Sequence, residues 1–292
     1  MGSRVEVVVA GGDHLAGLAR DRLTHLERRW SRFLPESDIS RLNVAGGQPV
    51  EVDASTVVLV EHLVHAGRAT DGLFDPTLLP TLVGLGYATS WDDPDRVTSL
   101  SPDARSRCDL AGVLVDPAAR VVQLASGTTL DPGGLGKGLA ADLIVEELLD
   151  AGARGALVSV GGDLRVGGEA VDGGSWLVSV ANPNSEGGDV ARVRLLAGGV
   201  ATSSTLRRAW TTSGSACHHL LDPSTDRPAT TGIASATVVA GTAAWAEAWT
   251  KAVMVGGTRR SFAVLDERGL AAMAVMLDGR MVANDSWKQF AA

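Results

Sequence analysis

The chain has 292 residues and a formal net charge of −8. That acidity, with no run of basic residues, argues against a nucleic-acid binder and against docking on an anionic membrane. Hydrophobic residues make up 45% of the chain, enough for a substantial core, yet no segment approaches 18 consecutive apolar residues and no membrane span is expected.

The opening stretch RVEVVVA (4–10) alternates and predicts a strand. It lacks the apolar core of a signal peptide, so a cytoplasmic protein is expected. Over residues 14–33, Leu15, Leu18, Ala19, Leu23, Leu26, Trp30 and Phe33 share one face at helical spacing. RFLPESDISRLN (32–43) leaves that helix at Pro35. Asp53, followed by Ala54 and Ser55, supplies an N-cap for a second helix reaching about Ala69. DGLFDPTLLP (71–80) reads as an ordered turn region and residues 85–107 as irregular, with short strands near 120–124 and 128–131.

From Ala140 a helix is expected, with Ala141, Ile144, Val145, Leu148 and Leu149 on one face and Gly152 as its C-terminal stop. GALVSVGGDLRV (155–166) predicts strand, glycine turn and strand. Further strands follow at 176–183, two within 191–203, and one at 234–241. Residues 243–256 predict a helix, 262–269 a helix-to-turn region and 271–279 a final strand. Strands come both paired and separated by helices, which favours α+β over a purely parallel sheet, and no linker is long enough to divide the chain. Cys108 and Cys217 fit no metal spacing and are expected to be reduced thiols.

The segment DPGGLGKGLAAD (131–142) sets four glycines and Lys137 just ahead of a predicted helix, in a chain with only three lysines. Free N–H groups at a helix start, with an added ammonium, suit a phosphate. Neither standard motif fits. A P-loop needs glycine where Asp131 stands and Ser or Thr where Gly138 stands, and a dinucleotide fingerprint fails after Gly136. The segment is either a phosphate cradle or a plain glycine-rich turn. Asp131 would repel a phosphate unless it binds a metal or another donor on the ligand.

Five stretches in register then resemble one family. Leu130-Asp131-x-Gly133-Gly134-Leu135-Gly136-Lys137-Gly138-x-Ala140-x-Asp142 resembles the signature of the ApbE family, the FAD:protein FMN transferases. Ser31-Arg32-Phe33 through Ser37-x-Ile39-Ser40-Arg41-Leu42-Asn43 resembles its first motif, and Thr70-Asp71-Gly72-x-Phe74-Asp75-Pro76-Thr77 its second. Val158-x-Val160-Gly161-Gly162-Asp163 matches the family's Gly-Gly-Asp turn. Ala201-Thr202-Ser203, then His219-Leu220-Leu221-Asp222-Pro223-x-Thr225, resembles its late catalytic region, and Met1-Gly2-Ser3 its opening.

The resemblance implies a single α+β, T-fold-related domain over residues 1–292, with mixed, largely antiparallel sheets flanked by helices. It implies an enzyme that uses FAD and Mg²⁺, moves the FMN half of FAD onto a Thr or Ser hydroxyl of an acceptor protein, and releases AMP. Some members instead hydrolyse FAD to FMN and AMP, so the same site could serve a pyrophosphatase, or only bind FAD.

Residue by residue, the resemblance assigns Lys137 to the pyrophosphate and His219 to the acceptor proton, a task suited to a side chain that titrates near neutrality. Met1, Phe33, Leu73, Phe74, Asp75, Asp131 and Leu220 match FAD-contacting positions. The carbonyl of Gly134 matches a metal ligand. Asp163 either lines the site or holds its turn, and Asp222 and Thr225 either orient His219 or shape theirs.

Two departures stand out. The family's last metal motif, Ala-Asp-x-x-x-Thr, appears here as Ala246-Glu247-Ala248-Trp249-Thr250-Lys251. Glu and Lys keep the one-turn spacing, but a charged lysine cannot ligate a metal. Either Glu247 holds Lys251 in place of part of the metal's role, or Glu247 still binds Mg²⁺ while Lys251 contacts phosphate. The second departure is Asp226, where the family has glycine, which puts the turn beside His219 in question.

Overall fold

The computed structural model of the chain describes residues 3–292 except Glu186 and Ser213. Met1, expected near the ligand, lies outside the described residues. In chain order the first elements are strand β1 (Val5–Ala10) and helices α1 (Ala16–Trp30) and α2 (Asp38–Val44). There follow β2 (Val50–Glu51), α3 (Ala54–Ala69), α4 (Leu79–Gly84), β3 (Leu114–Asp116), β4 (Val121–Gln123) and α5 (Gly136–Asp150). The second half begins with β5 (Gly155–Val160), β6 (Asp163–Gly168), β7 (Trp176–Ala181), β8 (Asp189–Leu195) and β9 (Gly198–Ser204). After β10 (Ala209–Thr212), β11 (Ser215–His218), β12 (Leu221–Asp222) and β13 (Arg227–Pro228) come β14 (Ile233–Ala240), α6 (Ala243–Glu267), β15 (Ala271–Met276) and β16 (Met281–Ala283).

The chain forms two compact units. The first holds residues 24–136 and 209–228; the second holds 3–23, 137–208 and 229–292.

The second unit is built on a seven-stranded sheet in the order β1-β5-β6-β9-β14-β15-β16, antiparallel at every pairing. Every residue of β14 is buried, as expected for a central strand covered on both faces. Helix α6 packs on β9 and β14. The β7–β8 hairpin contributes Trp176, Val178, Val193 and Leu195 to a core cluster with Val166, Val200, Val239 and Met273. Gly161 and Gly162 join β5 to β6 with φ of 64° and 94°. Both left-handed positions of a tight hairpin turn are thus glycine, the residue that takes positive φ at least cost.

The first unit carries the sheet β2-β4-β3, the hairpins β10–β11 and β12–β13, and α2, α3 and α4. Asp53 caps α3 by accepting from Ser55 N at 2.9 Å, as its sequence position predicts. His25 adds an ion pair at 3.3 Å. Burial pushes the Asp53 carboxyl up, but the Ser55 and His25 hydrogen bonds outweigh it and hold the group at about 2. Helices α2 and α4 were not expected. Ser37 caps α2 by accepting from Ser40 N, and Pro80 sits in the first turn of α4, where its missing N–H costs nothing.

Three further expectations are corrected. Residues 128–131 form no strand. Helix α5 starts at Gly136 rather than Ala140. Helix α6 runs past residue 256, with a non-helical break at Gly257 (φ 76°, ψ 161°) that only glycine tolerates without strain. Both cysteines are free thiols.

Candidate functional site

Two of the chain's three lysines meet inside the second unit. Lys137 stands in the first turn of α5, where its Nζ bonds Asp163 Oδ2 and lies 2.9 Å from Glu247 Oε1. Lys251 Nζ reaches the same Glu247 Oε1 at 3.0 Å from one turn along α6. Glu247 Oε2 accepts from the backbone N–H of Gly138 at 2.7 Å. Asp163 Oδ1 accepts from Thr202 N at 3.1 Å. Both carboxylates are buried, with 0% and 1% of their side chains exposed, whereas Lys137 keeps 18% and Lys251 12%. The lysine side chains are therefore the less covered members of the cluster.

The two helices cap one another. Asp142 of α5 accepts from Ala243 N at 2.8 Å and Ala244 N at 2.9 Å, the first N–H groups of α6. Glu247 of α6 returns the contact to Gly138 in the first turn of α5. Each helix start thus receives a carboxylate on N–H groups that lack an intrahelical partner. Gly138 is required by space rather than by φ: a Cβ there would lie 2.4 Å from Ala243 O. The stem of Lys137 passes Gly161, where a Cβ would stand 3.4 Å from its Cδ.

Burial sets the electrostatics first and the partners correct it. Burial pushes Lys137 down, but Asp163 and Glu247 outweigh this and hold it above its ordinary value. Glu247 is pushed up by burial, then drawn down to about 2 by Lys137 and Lys251. Lys251, with Glu247 as its main partner, stays depressed by burial. Burial likewise raises Asp163 against the pull of Lys137, and raises Asp142 to about 6 despite its two amide bonds.

The first unit holds the other residues of the glycine-rich segment. Asp131 Oδ1 accepts from Gly133 N at 2.9 Å and caps a short helical turn at Pro132–Gly134. Its Oδ2 lies 3.6 Å from Nε of buried Arg32. Arg32 also bonds Thr98 Oγ1 and, at 3.1 Å, Tyr87 O. Its guanidinium lies 4.1 Å from the Phe33 ring centroid and 4.8 Å from that of Tyr87. Tyr87 continues to Trp210 at 5.6 Å. Asn43 clamps Leu130 from both sides, accepting from its N–H at 2.7 Å and donating to its carbonyl at 2.9 Å. The backbone leading into Asp131 is therefore fixed by the Asn43 of the first sequence motif. Gly134 fits because a Cβ would lie 2.6 Å from Phe74 Cε2. Phe74 is buried and Leu73 half-buried. Asp75 accepts from Thr77 N and Oγ1 at 2.8 and 2.7 Å, and burial raises its carboxyl.

His219 follows β11 and is half-buried; Leu220 is buried. Asp222 shapes the adjoining turn, with Oδ1 accepting from Ser224 N at 2.8 Å and Ser224 Oγ at 2.7 Å. Its carbonyl accepts from Asp226 N at 3.0 Å. Asp226 takes φ 57°, a left-handed conformation that Asp tolerates better than most residues. The turn therefore forms with Asp where the family has glycine, and the Asp226 carboxylate pairs with Arg107 at 2.9 Å.

Mg²⁺ requires oxygen ligands. Among the described residues no three His, Cys, Asp or Glu side chains converge. The four oxygens of Asp163 and Glu247 all face N–H donors. The covered oxygens of Glu247 and the charged Lys251 do not fit a divalent cation. Sequence reasoning also missed Arg32 and Asp142 as positioning groups, although both lie inside quoted motifs.

The fold is α+β, and it joins Lys137 of α5 and Lys251 of α6 through the one carboxylate of Glu247. The ApbE family model matches residues 1–274, and the chain belongs to the ApbE family. The FAD:protein FMN transferase of Treponema pallidum is 32% identical over 270 residues, covering 85% of this chain and 73% of that protein. That of Klebsiella pneumoniae is 27% identical over 298 residues, covering 96% and 83%. The ApbE protein of Thermotoga maritima superposes with a TM-score of 0.84 at 26% identity, covering 99% of this chain and 94% of that one. No helix among the described residues is long and apolar enough to cross a membrane.

Proposed function

We propose that the chain is a flavin transferase that moves the FMN half of FAD onto a Thr or Ser hydroxyl of an acceptor protein and releases AMP. The observation that carries this reading is the Lys137 cluster, an ammonium held by two buried carboxylates at the start of α5, in a chain whose relatives bear that name.

Phosphoryl transfer asks a protein mainly for positioning and charge neutralisation. The acceptor oxygen attacks the phosphorus of the FMN half and forms the new P–O bond. The bond from that phosphorus to the bridging oxygen breaks, and its electron pair leaves with AMP. His219 takes the hydroxyl proton. Lys137 neutralises the pyrophosphate and the charge that grows on the leaving phosphate. Phe33, Leu73, Phe74, Asp75, Asp131 and Leu220 are assigned to FAD contact, with Arg32 and Asn43 holding Asp131 in place. Mg²⁺ would supply Lewis-acid neutralisation of phosphate, but the donor set here does not fit it.

The test is incubation with FAD and a Thr-bearing acceptor protein, read by in-gel flavin fluorescence and free AMP. Fluorescent acceptor with stoichiometric AMP supports the reading. AMP without labelled acceptor makes the protein an FAD pyrophosphatase, and neither product makes it a binding protein.

A further inference from the structure

Lys251 stands where the family resemblance expects a neutral metal ligand, and Glu247 where it expects Asp. Glu247 is buried and Lys251 partly covered, and they play opposite parts. Glu247 is fully covered and spends both oxygens on N–H donors, while Lys251 keeps 12% of its side chain exposed.

We propose that Lys251 takes over the task of the divalent cation, so that FAD's pyrophosphate is neutralised in this chain by the Lys137–Lys251 pair and flavin transfer proceeds without metal. The inference rests on the flavin-transfer reading above.

The geometry supports this in three ways. Glu247 Oε1 is shared, at 2.9 Å from Lys137 Nζ and 3.0 Å from Lys251 Nζ, so one buried carboxylate fixes two ammonium groups side by side. An ammonium has three N–H donors. Among the described residues Lys137 spends two of them on Asp163 and Glu247, and Lys251 one on Glu247. By this count one donor on Lys137 and two on Lys251 are left for phosphate oxygens. A divalent cation, by contrast, would need the carboxylate oxygens that are covered, and would stand against two like charges at contact range in a poorly hydrated site, where repulsion is strong. The added methylene of Glu247 over Asp also has a use: it lets one side chain reach Lys137, Lys251 and the Gly138 N–H together.

The test is FAD affinity of the full chain, followed by flavin fluorescence and calorimetry, in EDTA and in excess Mg²⁺. Wild type is expected to bind FAD equally in both, within about twofold, and to show no heat of Mg²⁺ binding. Lys251→Ala is expected to weaken FAD roughly ten- to a hundredfold, the worth of one charge-assisted hydrogen bond, with no rescue by Mg²⁺. The double variant Glu247→Asp/Lys251→Thr restores the family's oxygen ligands; it is expected to bind FAD weakly in EDTA and to recover in Mg²⁺. Tight wild-type binding that appears only with Mg²⁺ overturns the inference and leaves the flavin-transfer reading standing. Absence of FAD binding in both buffers overturns both. A double variant that behaves as wild type in EDTA shows that Lys251 is not needed and also overturns the inference.

Discussion

Replacing Glu247 by Gln removes one negative charge and little volume from the centre of the lysine cluster. The variant leaves Lys137, held at 2.9 Å, and Lys251, at 3.0 Å, inside the protein with Asp163 as their remaining carboxylate. Breaking a buried pair in this way costs about 3–5 kcal/mol. A second route gives a similar size. The Glu247 carboxyl is pushed up by burial but drawn by the two lysines from 4.5 to about 2, which corresponds to about 3 kcal/mol at neutral pH. The sign follows from the depressed value: this stability is present above the unfolded value of 4.5 and is lost as pH falls through about 2. Urea unfolding of both proteins, monitored by circular dichroism, is the assay. The variant should be less stable by about 3 kcal/mol at pH 7. The gap should narrow by roughly 1–2 kcal/mol at about pH 3.5. An unchanged midpoint at pH 7, or a gap that widens in acid, would refute the account of Glu247 as the anchor of both lysines.

Gly138→Ala pushes a methyl into the carbonyl of Ala243 at 2.4 Å; a loss of about 1–3 kcal/mol is expected in thermal unfolding, because the obstacle is backbone. Asp142 is raised to about 6 by burial, so its contribution is full below about pH 4 and fades as pH rises through 6. The stability difference should therefore shift towards Asp142→Asn by roughly 1–3 kcal/mol from about pH 4 to pH 7 in paired urea titrations. Gly257→Ala must hold φ 76° and ψ 161° and should cost about 1–3 kcal/mol in the same experiment. Asp226→Gly relieves a left-handed Asp at the price of the partly exposed Arg107 pair, so stability should change by less than about 1 kcal/mol.

Periodic segments were legible because one face of each had to be buried. Ala19, Leu26 and Trp30 of α1 are covered as their spacing predicts, and the Gly161–Gly162 hairpin follows from two residues that take positive φ at little cost. The start of α5 was misread because Gly136 and Gly138 are poor helix formers; Glu247, more than a hundred residues away, supplies the cap that fixes that turn. For the same reason the glycines of residues 131–138 gave an ambiguous signal. Gly134 and Gly138 are there for close approach to Phe74 and Ala243, which no local pattern reveals. The Glu247–Lys251 spacing was readable as a helical pair. That Glu247 also meets Lys137, and is wholly covered, depends on the packing of α6 against α5. The β10–β11 hairpin, four residues a side, was too short and too polar to announce itself.

The most direct test of the flavin-transfer account is FAD turnover with a Thr-bearing acceptor by wild type, Lys137→Ala and His219→Ala, scored as covalent flavin and AMP. Wild type should form both in equal amounts. Lys137→Ala should lose at least about a hundredfold in rate through lost charge stabilisation, and His219→Ala roughly a hundred- to ten-thousandfold through the lost proton acceptor. Full activity in Lys137→Ala would contradict the account.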